Sequence, residues 1–586
     1  MTGCIIFAVS THALTATANK VIIQTSGTGS GTVTISPKSG EFVNGKAVTL
    51  TAKPDKDSVF TFWNAGGSTP AVGYAPTLKV EAPCGGLDVT RQAFFRAKAD
   101  CVNVVLTPIP ATQSGMVGVS FYKAVTFNAA AGGVKFTAKG LPPGLKINAN
   151  TGEITGAPTK VGNYIATVNA ASLADAKTKS AEPITVTFDI AALPPNVAGT
   201  YNGCLTTGWV NNSIEGSPVT VTVSASGKVS AKIVTEPGKT VSFSAPSLER
   251  SGTAFSVSME NAKAFRGLAV YIDPTQPWND WQMDGAVWGM SSDLCIASST
   301  IGTFNAQRNA FLDKPMATAA QTVLDTHKGY YTMEIFPFGP SLSGAIGILP
   351  GGYGYLTATI GDRGSVKIAG KLADGTAVST RSMLLPSSLP YADIPVYIPL
   401  YGKRGWIHLP IEKIGDFTVS GAGFWSYPGK SPTATADAFV SGVNAVGCLY
   451  DTDISTFQAG ANFSVWEGVT KIIGNVPFVP DVKGGMTLPK ARKPYLEKGA
   501  DFYTYDPVNP FGATFSENKK TGIFTGKLTS FEETMVNGKP TLTGTTCSYQ
   551  GVLMPGSGSL FYPSKVVYGG VTYTIKRSYR VEIHYD

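Results

Sequence analysis

The chain has 586 residues, too many for one hydrophobic core and enough for about four domains at a prior of roughly 150 residues each. Charged residues make up 15%, against about 25% in an average soluble domain, so Ser, Thr, Asn and Gly must supply much of the polar surface. The net charge of +8 is mild over this length, and no block of Lys and Arg interleaved with aromatics occurs, which argues against a nucleic-acid partner.

Sixty-six Gly and 38 Pro divide short Val, Thr, Ile and Tyr runs, the pattern of an all-β protein. Long 3.6-period stretches are missing, and Met316–Leu324 reads at most as a short connecting helix. Residues 1–18 hold a short apolar run, Cys4–Val9, closed by Ala13 and Ala16. They read as a truncated secretory signal peptide without its basic first region, the alternative being a buried first strand. Met1-Thr-Gly-Cys4 is not taken as a lipidation signal, because the apolar run follows the Cys. No later stretch nears the roughly 20 apolar residues of a membrane span, so the expectation is an exported protein, extracellular or at the cell surface.

Six cysteines remain after Cys4, an even count that fits an oxidising compartment. Pairing neighbours within units predicts disulfides Cys84–Cys101, Cys204–Cys295 and Cys448–Cys547; buried free thiols are the alternative. With no Cys-x-x-Cys and no His beside a Cys, no metal site is expected.

Residues 20–100 form a first unit: Gly29-Ser-Gly-Thr-Val33, then Gly40–Pro54, then Val59-Phe-Thr-Phe-Trp63, and near the end Ala93-Phe-Phe-Arg-Ala97. This order is similar to the small bacterial surface repeat related to the internalin B-repeat. It departs from that repeat after Trp63 and in an insertion bearing Cys84. Trp63 is expected to anchor the core.

Residues 102–191 carry Gly140-Leu-Pro-Pro-Gly-Leu145, then Asn150-Thr-Gly-Glu-Ile-Thr-Gly156, then Gly162-Asn-Tyr164. The motif resembles the bacterial "Putative Ig" family, a cadherin-like sandwich used as a spacer and adhesion module. The resemblance implies that Leu141, Leu145, Ile154 and Tyr164 are buried and that Asn150-Thr-Gly152 is a tight turn. Glu153 and Asp175 stand alone, so no calcium site is carried over.

Leu193-Pro-Pro-Asn196 is the linker to a repeated region. In Pro218–Ile233, Val219, Val221 and Val223 alternate with polar residues, Ser226-Gly227 turns the chain, and Val229 and Ile233 follow: a hairpin with one buried face. The pattern returns around Gly364 and, more faintly, around Gly522. Gly267–Ile272 matches Pro395–Ile398, and Trp281–Trp288 matches Phe417–Trp425. Three units follow at 196–312, 326–428 and 440–586, each sized for an antiparallel barrel or closed sandwich. They resemble β-rich C-terminal parts of exported bacterial proteins that also carry Ig-type units.

Candidate chemistry is sparse. His12, His327, His408 and His584 are scattered without triad context, and Gly556-Ser-Gly558 is only a loop fragment of a nucleophile elbow. Asp273, Asp280, Asp284, Asp451 and Asp453 read first as turn residues, although a carboxylate pair could serve glycoside hydrolysis at the right separation. Trp278 and Trp281 beside Asp280 and Asp284, with Trp406 and Trp425 in the next unit, form the candidate sugar-stacking patch; core burial is the alternative reading. The expectation is a non-catalytic, cofactor-free surface protein of stacked β modules acting in adhesion or spacing. Surface polysaccharide or another surface protein is the expected partner. The alternative is a carbohydrate-binding or carbohydrate-active protein with its site in the C-terminal units.

Overall fold

The computed structural model describes residues 20–585 except 43–45, 67–70, 82–87, 208–214, 237, 265, 278–281, 290–299, 339–348, 387–391, 415–417, 430–437, 451–460, 468–469, 481–485, 555–556 and 569–570. Strands dominate, and the longest helix among the described residues is the ten-residue Thr318–His327. No helix there is long and apolar enough to cross a membrane. The residues read as a leader, 1–18, lie outside this set. Buried apolar side chains fall into five separate cores in chain order.

The first core lies between two small sheets. In one, Val21–Ser26 runs parallel to Val89–Ala97, which pairs antiparallel with Ser58–Asn64. In the other, Gly31–Ser36, Val48–Pro54 and Thr77–Val80 lie side by side. Val48, Leu50 and Ala52 alternate inward with period two, as the sequence pattern requires. Trp63 is fully buried and donates its indole N–H to Ala75 O at 3.0 Å, so it anchors this core.

The second core is a sandwich of Val134–Lys139, Gly162–Ser172, Ile184–Ala191 and Thr112–Met116 over Leu145–Ile147, Glu153–Gly156 and Phe121–Ala124. Leu145 and Ile154 are buried, whereas Leu141 and Tyr164 sit half-buried at its rim. Tyr164 is not a full core residue because its hydroxyl reaches the edge, donating to Lys160 O at 3.2 Å. The predicted turn is present: Gly152 has φ +73, and Asn148 Oδ1 accepts from Asn150 N at 2.9 Å.

Three large antiparallel sheets follow, of nine, eleven and seven strands. In each the first strand pairs with the last: Gly199–Thr206 with Thr300–Arg308, Gly329–Phe338 with Phe439–Leu449, and Ala461–Glu467 with Val571–Tyr585. This shared rule makes them copies of one design. In the nine-stranded sheet, Asn261 Nδ2 donates to Ser242 O at 2.9 Å across the remaining gap, drawing the sheet nearly closed.

Topology corrects three sequence matches. Gly227 and Gly364 turn equivalent hairpins at φ +75 and +66, but Gly522 turns the hairpin of Thr514–Asn518 with Ile523–Val536 at the opposite sheet edge. Its counterpart is Gly252, between Glu249–Ser251 and Ala254–Asn261. A Gly turn between alternating strands has the same local signature wherever it falls in the circuit. The Tyr397–Leu400 strand likewise lies one place further from the closing strand than Arg266–Ile272. Finally, Phe439–Leu449 belongs to the second large sheet and not to the third.

The disulfide expectation also needs correction. Cys101, Cys204, Cys448 and Cys547 are free thiols. Cys448 lies in the second large sheet while Cys547 points into the third core, so the two cannot pair. Cys84 and Cys295, named as partners for the other two, lie outside the described residues.

The units meet through hydrogen bonds and apolar contacts. Lys179 Nζ donates to Lys98 O at 3.2 Å between the first and second. Between the second and third, Ser120 N donates to Leu248 O at 2.7 Å and Leu248 N to Gly118 O at 2.9 Å, while Val119 and Leu193 complete the third unit's core. The presumed linker is therefore anchored at its first residue, Leu193, while Pro195 and Asn196 are exposed.

Candidate functional site

The tryptophan patch divides. Trp406 and Trp425 are 2% and 1% exposed, so neither can stack on a sugar; Trp425 fills the core of the second large sheet, and Trp406 is buried on the other face of its strand from the core residue Ile407. Trp425 packs edge-on against Phe439 and donates its indole N–H to Tyr401 OH at 3.0 Å. Trp278, Asp280 and Trp281 lie outside the described residues, as do Asp451 and Asp453. Asp284 is exposed on a strand and accepts from Asn305 Nδ2. Asp273 accepts from Thr275 N at 2.9 Å and is held below the usual carboxylate range by the Thr275 hydroxyl first and that amide second, as a turn-capping Asx should be. His327 is buried in a helix–sheet core.

The structure instead brings together residues far apart in sequence, at the junction of the second and third large sheets. A groove of about 510 Å³ opens there. Its floor is the outward face of the third sheet. Cross-strand register aligns Thr514, Lys527 and Ser548 in one row and Ser516, Thr525 and Gln550 in the next. Lys371 and Gly375 of the second sheet form one wall. Lys371 Nζ donates to Gln550 Oε1 at 2.8 Å, tying wall to floor. The Tyr549 ring is buried beneath, reached past Gly526, where any Cβ would meet its hydroxyl.

The same seam holds a carboxylate pair that no local motif could signal. Glu334 accepts from the Ser557 hydroxyl, and burial raises its carboxyl above the usual range while that hydrogen bond opposes the rise. Glu582 lies 3.1 Å from Arg580 Nε, and the Arg580 guanidinium sits over Trp466 at 5.2 Å and Tyr353 at 5.6 Å. Glu334 thus joins the two sheets, while Glu582 holds Arg580 of its own strand, whose guanidinium reaches Tyr353 of the second sheet. Thr332 Oγ1, donating to Met554 O at 2.9 Å, extends the same bond network.

A second polar seam joins the first and second large sheets. The His408 ring lies over Gly216 so closely that a methyl there would fall 1.9 Å from Nε2. Burial lowers the His408 pKa, with Glu215 opposing, so the ring is neutral at pH 7. Burial, then Asp393 and Glu215, push the Cys204 thiol up to about 12, so it is no nucleophile. Burial raises the Cys101, Cys448 and Cys547 thiols as well.

Asp393 stands directly across from Glu412, and burial together with that like charge pushes it up to about 6. Folding therefore costs free energy once Asp393 must ionise. The cost is absent below about pH 4, grows between about 4 and 6, and is complete above that window. Asp393→Asn is expected to stabilise the chain at pH 7.5 by roughly 1–2 kcal/mol, allowing for solvent screening of exposed Glu412, and to change nothing at pH 3.5. Thermal unfolding at both values checks this; equal shifts at the two would show that the pair is not strained.

Among the described residues no group of three or more His, Cys, Asp or Glu side chains could hold a metal ion. The geometry is that of a multidomain β-protein with polar seams and no assembled acid–base or nucleophile constellation among those residues.

Comparison with known families agrees with the first two units. The Putative Ig domain family matches residues 102–189, and the Divergent InlB B-repeat domain family matches residues 21–95. No curated protein matches the chain. Among solved structures, a putative alpha-galactosidase from Bacteroides fragilis is 19% identical over 16% of this chain and 18% of its own, with a TM-score of 0.14. Sidekick-1 immunoglobulin domains 1–5 are 8% identical over 49% of this chain and 79% of their own, also with a TM-score of 0.14. The chain thus spans under a fifth of the galactosidase, and at these scores neither likeness bears on function.

Proposed function

We propose that the chain is an exported surface protein that acts as a rigid series of β modules, in adhesion or spacing and not in catalysis. The modules are taken as the five cores, with bounds near 20–100, 102–191, 193–309, 310–449 and 461–585. The observation that carries the reading is the construction of the junctions: successive units are tied by hydrogen bonds between their elements, Lys179 to Lys98 O, Leu248 N to Gly118 O, Lys403 to Gly238 O and Ser557 to Glu334, and Leu193 and Val197 are buried on either side of the Pro-Pro step. A chain that presents a binding surface at a distance needs such stiffness, since free linkers would let modules fold back. The InlB-repeat and Ig-type matches support a place outside the cell. Tagged at its C-terminus in a bacterial host that exports it, the protein should lose the tag when intact cells are treated with trypsin. A tag protected until lysis would refute surface display.

A second reading is carbohydrate contact through the groove between the second and third large sheets. It is favoured by the hydroxyl and amide lining of that groove.

A further inference from the structure

The groove floor has a charge pattern that narrows its ligand. Two ammonium groups face it, Lys371 and Lys527, and its lining contains no carboxylate. Lys371 has a neutral partner, Gln550. Lys527 is exposed, and no described residue pairs with its side chain. Asp374, next to Gly375 of the wall, is turned to Tyr401, whose hydroxyl donates to it at 2.7 Å, and to Thr376 N at 2.8 Å. The positive charge in the groove is therefore uncompensated, while its surroundings are hydroxyls.

The floor also lacks the usual platform for a neutral sugar. The rings nearest it, Phe515 and Tyr549, are buried below the sheet and present no face to solvent. What the floor offers is spacing. Strands about 4.8 Å apart and rows about 6.8 Å apart set polar groups at intervals near the size of one pyranose ring. Hydroxyl and amide groups so arranged can pair with ring hydroxyls, and an ammonium can pair with an acidic substituent on the same ring.

We propose that this groove binds a segment of an acidic polysaccharide. A carboxylate, sulfate or phosphate group would lie on Lys527 and be shared with Lys371, with sugar hydroxyls on Ser516, Thr525 and Ser548; the Thr514 hydroxyl is already bonded to the Lys527 backbone. The inference rests on the carbohydrate reading of the groove and is independent of the rigid-spacer reading. A single exposed Lys supplies long-range attraction, so binding weakens with salt.

The test uses the full chain and titration calorimetry with four probes: a galacturonate hexamer, a sulfated heparin-derived hexamer, neutral cellohexaose, and oligo-glutamate. Binding of one or both acidic saccharides is expected, at least tenfold weaker in Lys527→Glu and weaker again when salt is raised from 50 to 300 mM on the order of the Debye argument. Lys527→Gln should fall between, and it replaces the Glu variant if that fails to fold. The preferred saccharide tells uronate from sulfate ester. Equal binding of cellohexaose overturns the acidic assignment and keeps the carbohydrate reading. Tighter binding of oligo-glutamate makes the groove a peptide site and overturns both. No binding of any saccharide at millimolar concentration, or affinity unchanged in Lys527→Glu, also overturns the inference.

Discussion

Trp425→Ala is expected to destabilise the second large sheet by about 3–5 kcal/mol, the range for removing a large buried aromatic. The indole is 1% exposed and lies edge-on to Phe439, with ring centres 5.1 Å apart. Its N–H donates to Tyr401 OH, which in turn donates to Asp374. Tyr401 itself sits at φ +52, an uncommon backbone for a bulky residue, so the bond chain from Trp425 through Tyr401 to Asp374 helps hold a costly turn. Trp425→Phe keeps most of the volume but not the N–H, and should cost about 1–2 kcal/mol. Calorimetry of the full chain should resolve several transitions, because the cores are separate. One transition should move with Trp425→Ala and a different one with Trp63→Ala. An unmoved thermogram for Trp425→Ala would return that residue to the candidate sugar-stacking patch.

Gly118→Val is expected to break the junction between the Ig-type sandwich and the first large sheet. Gly118 and Gly227 meet backbone to backbone. A Cβ on Gly118 would lie 2.3 Å from both Gly227 Cα and Ser226 O, and one on Gly227 would lie 2.3 Å from Gly118 Cα. Neither partner is a side chain that can swing aside. Both glycines also have positive φ, +71 and +75, where a β-branched residue adds about 1–2 kcal/mol of strain. The two units must then part, losing the Ser120–Leu248 and Leu248–Gly118 bonds and exposing Val119 and Leu193. The total is about 3 kcal/mol at the junction, from strain plus two lost hydrogen bonds. Each unit keeps its own core, so global folding should survive while limited proteolysis near 191–199 accelerates and the particle lengthens or flexes in solution scattering. Wild-type protease resistance in Gly118→Val would mean that the contact does not couple the units.

Much of this molecule is decided locally. Period-two burial in Val48–Pro54 and in Pro218–Val223 follows from alternating side chains on a pleated strand. Gly152, Gly227 and Gly364 occupy positive φ because the chain must reverse within two residues there. Fold class, the first two unit types and the existence of repeated hairpins were legible from such patterns.

Which hairpin matches which was not legible, because Gly522 and Gly227 share a local signature and differ only in the order of strand pairing within each sheet. The fate of each cysteine and tryptophan depends on which face of which sheet it occupies and on what covers that face. Trp425 and Cys547 point into cores, whereas Trp406 is buried on the face of its strand opposite the core residue Ile407. The groove is wholly tertiary. Lys371, Lys527 and Gln550 share one place only because cross-strand register aligns two rows of the third sheet and the second sheet packs over them. Alternation determines which side chains face outward; only the packing of one sheet on another decides which outward faces meet, and so where charge is left uncompensated.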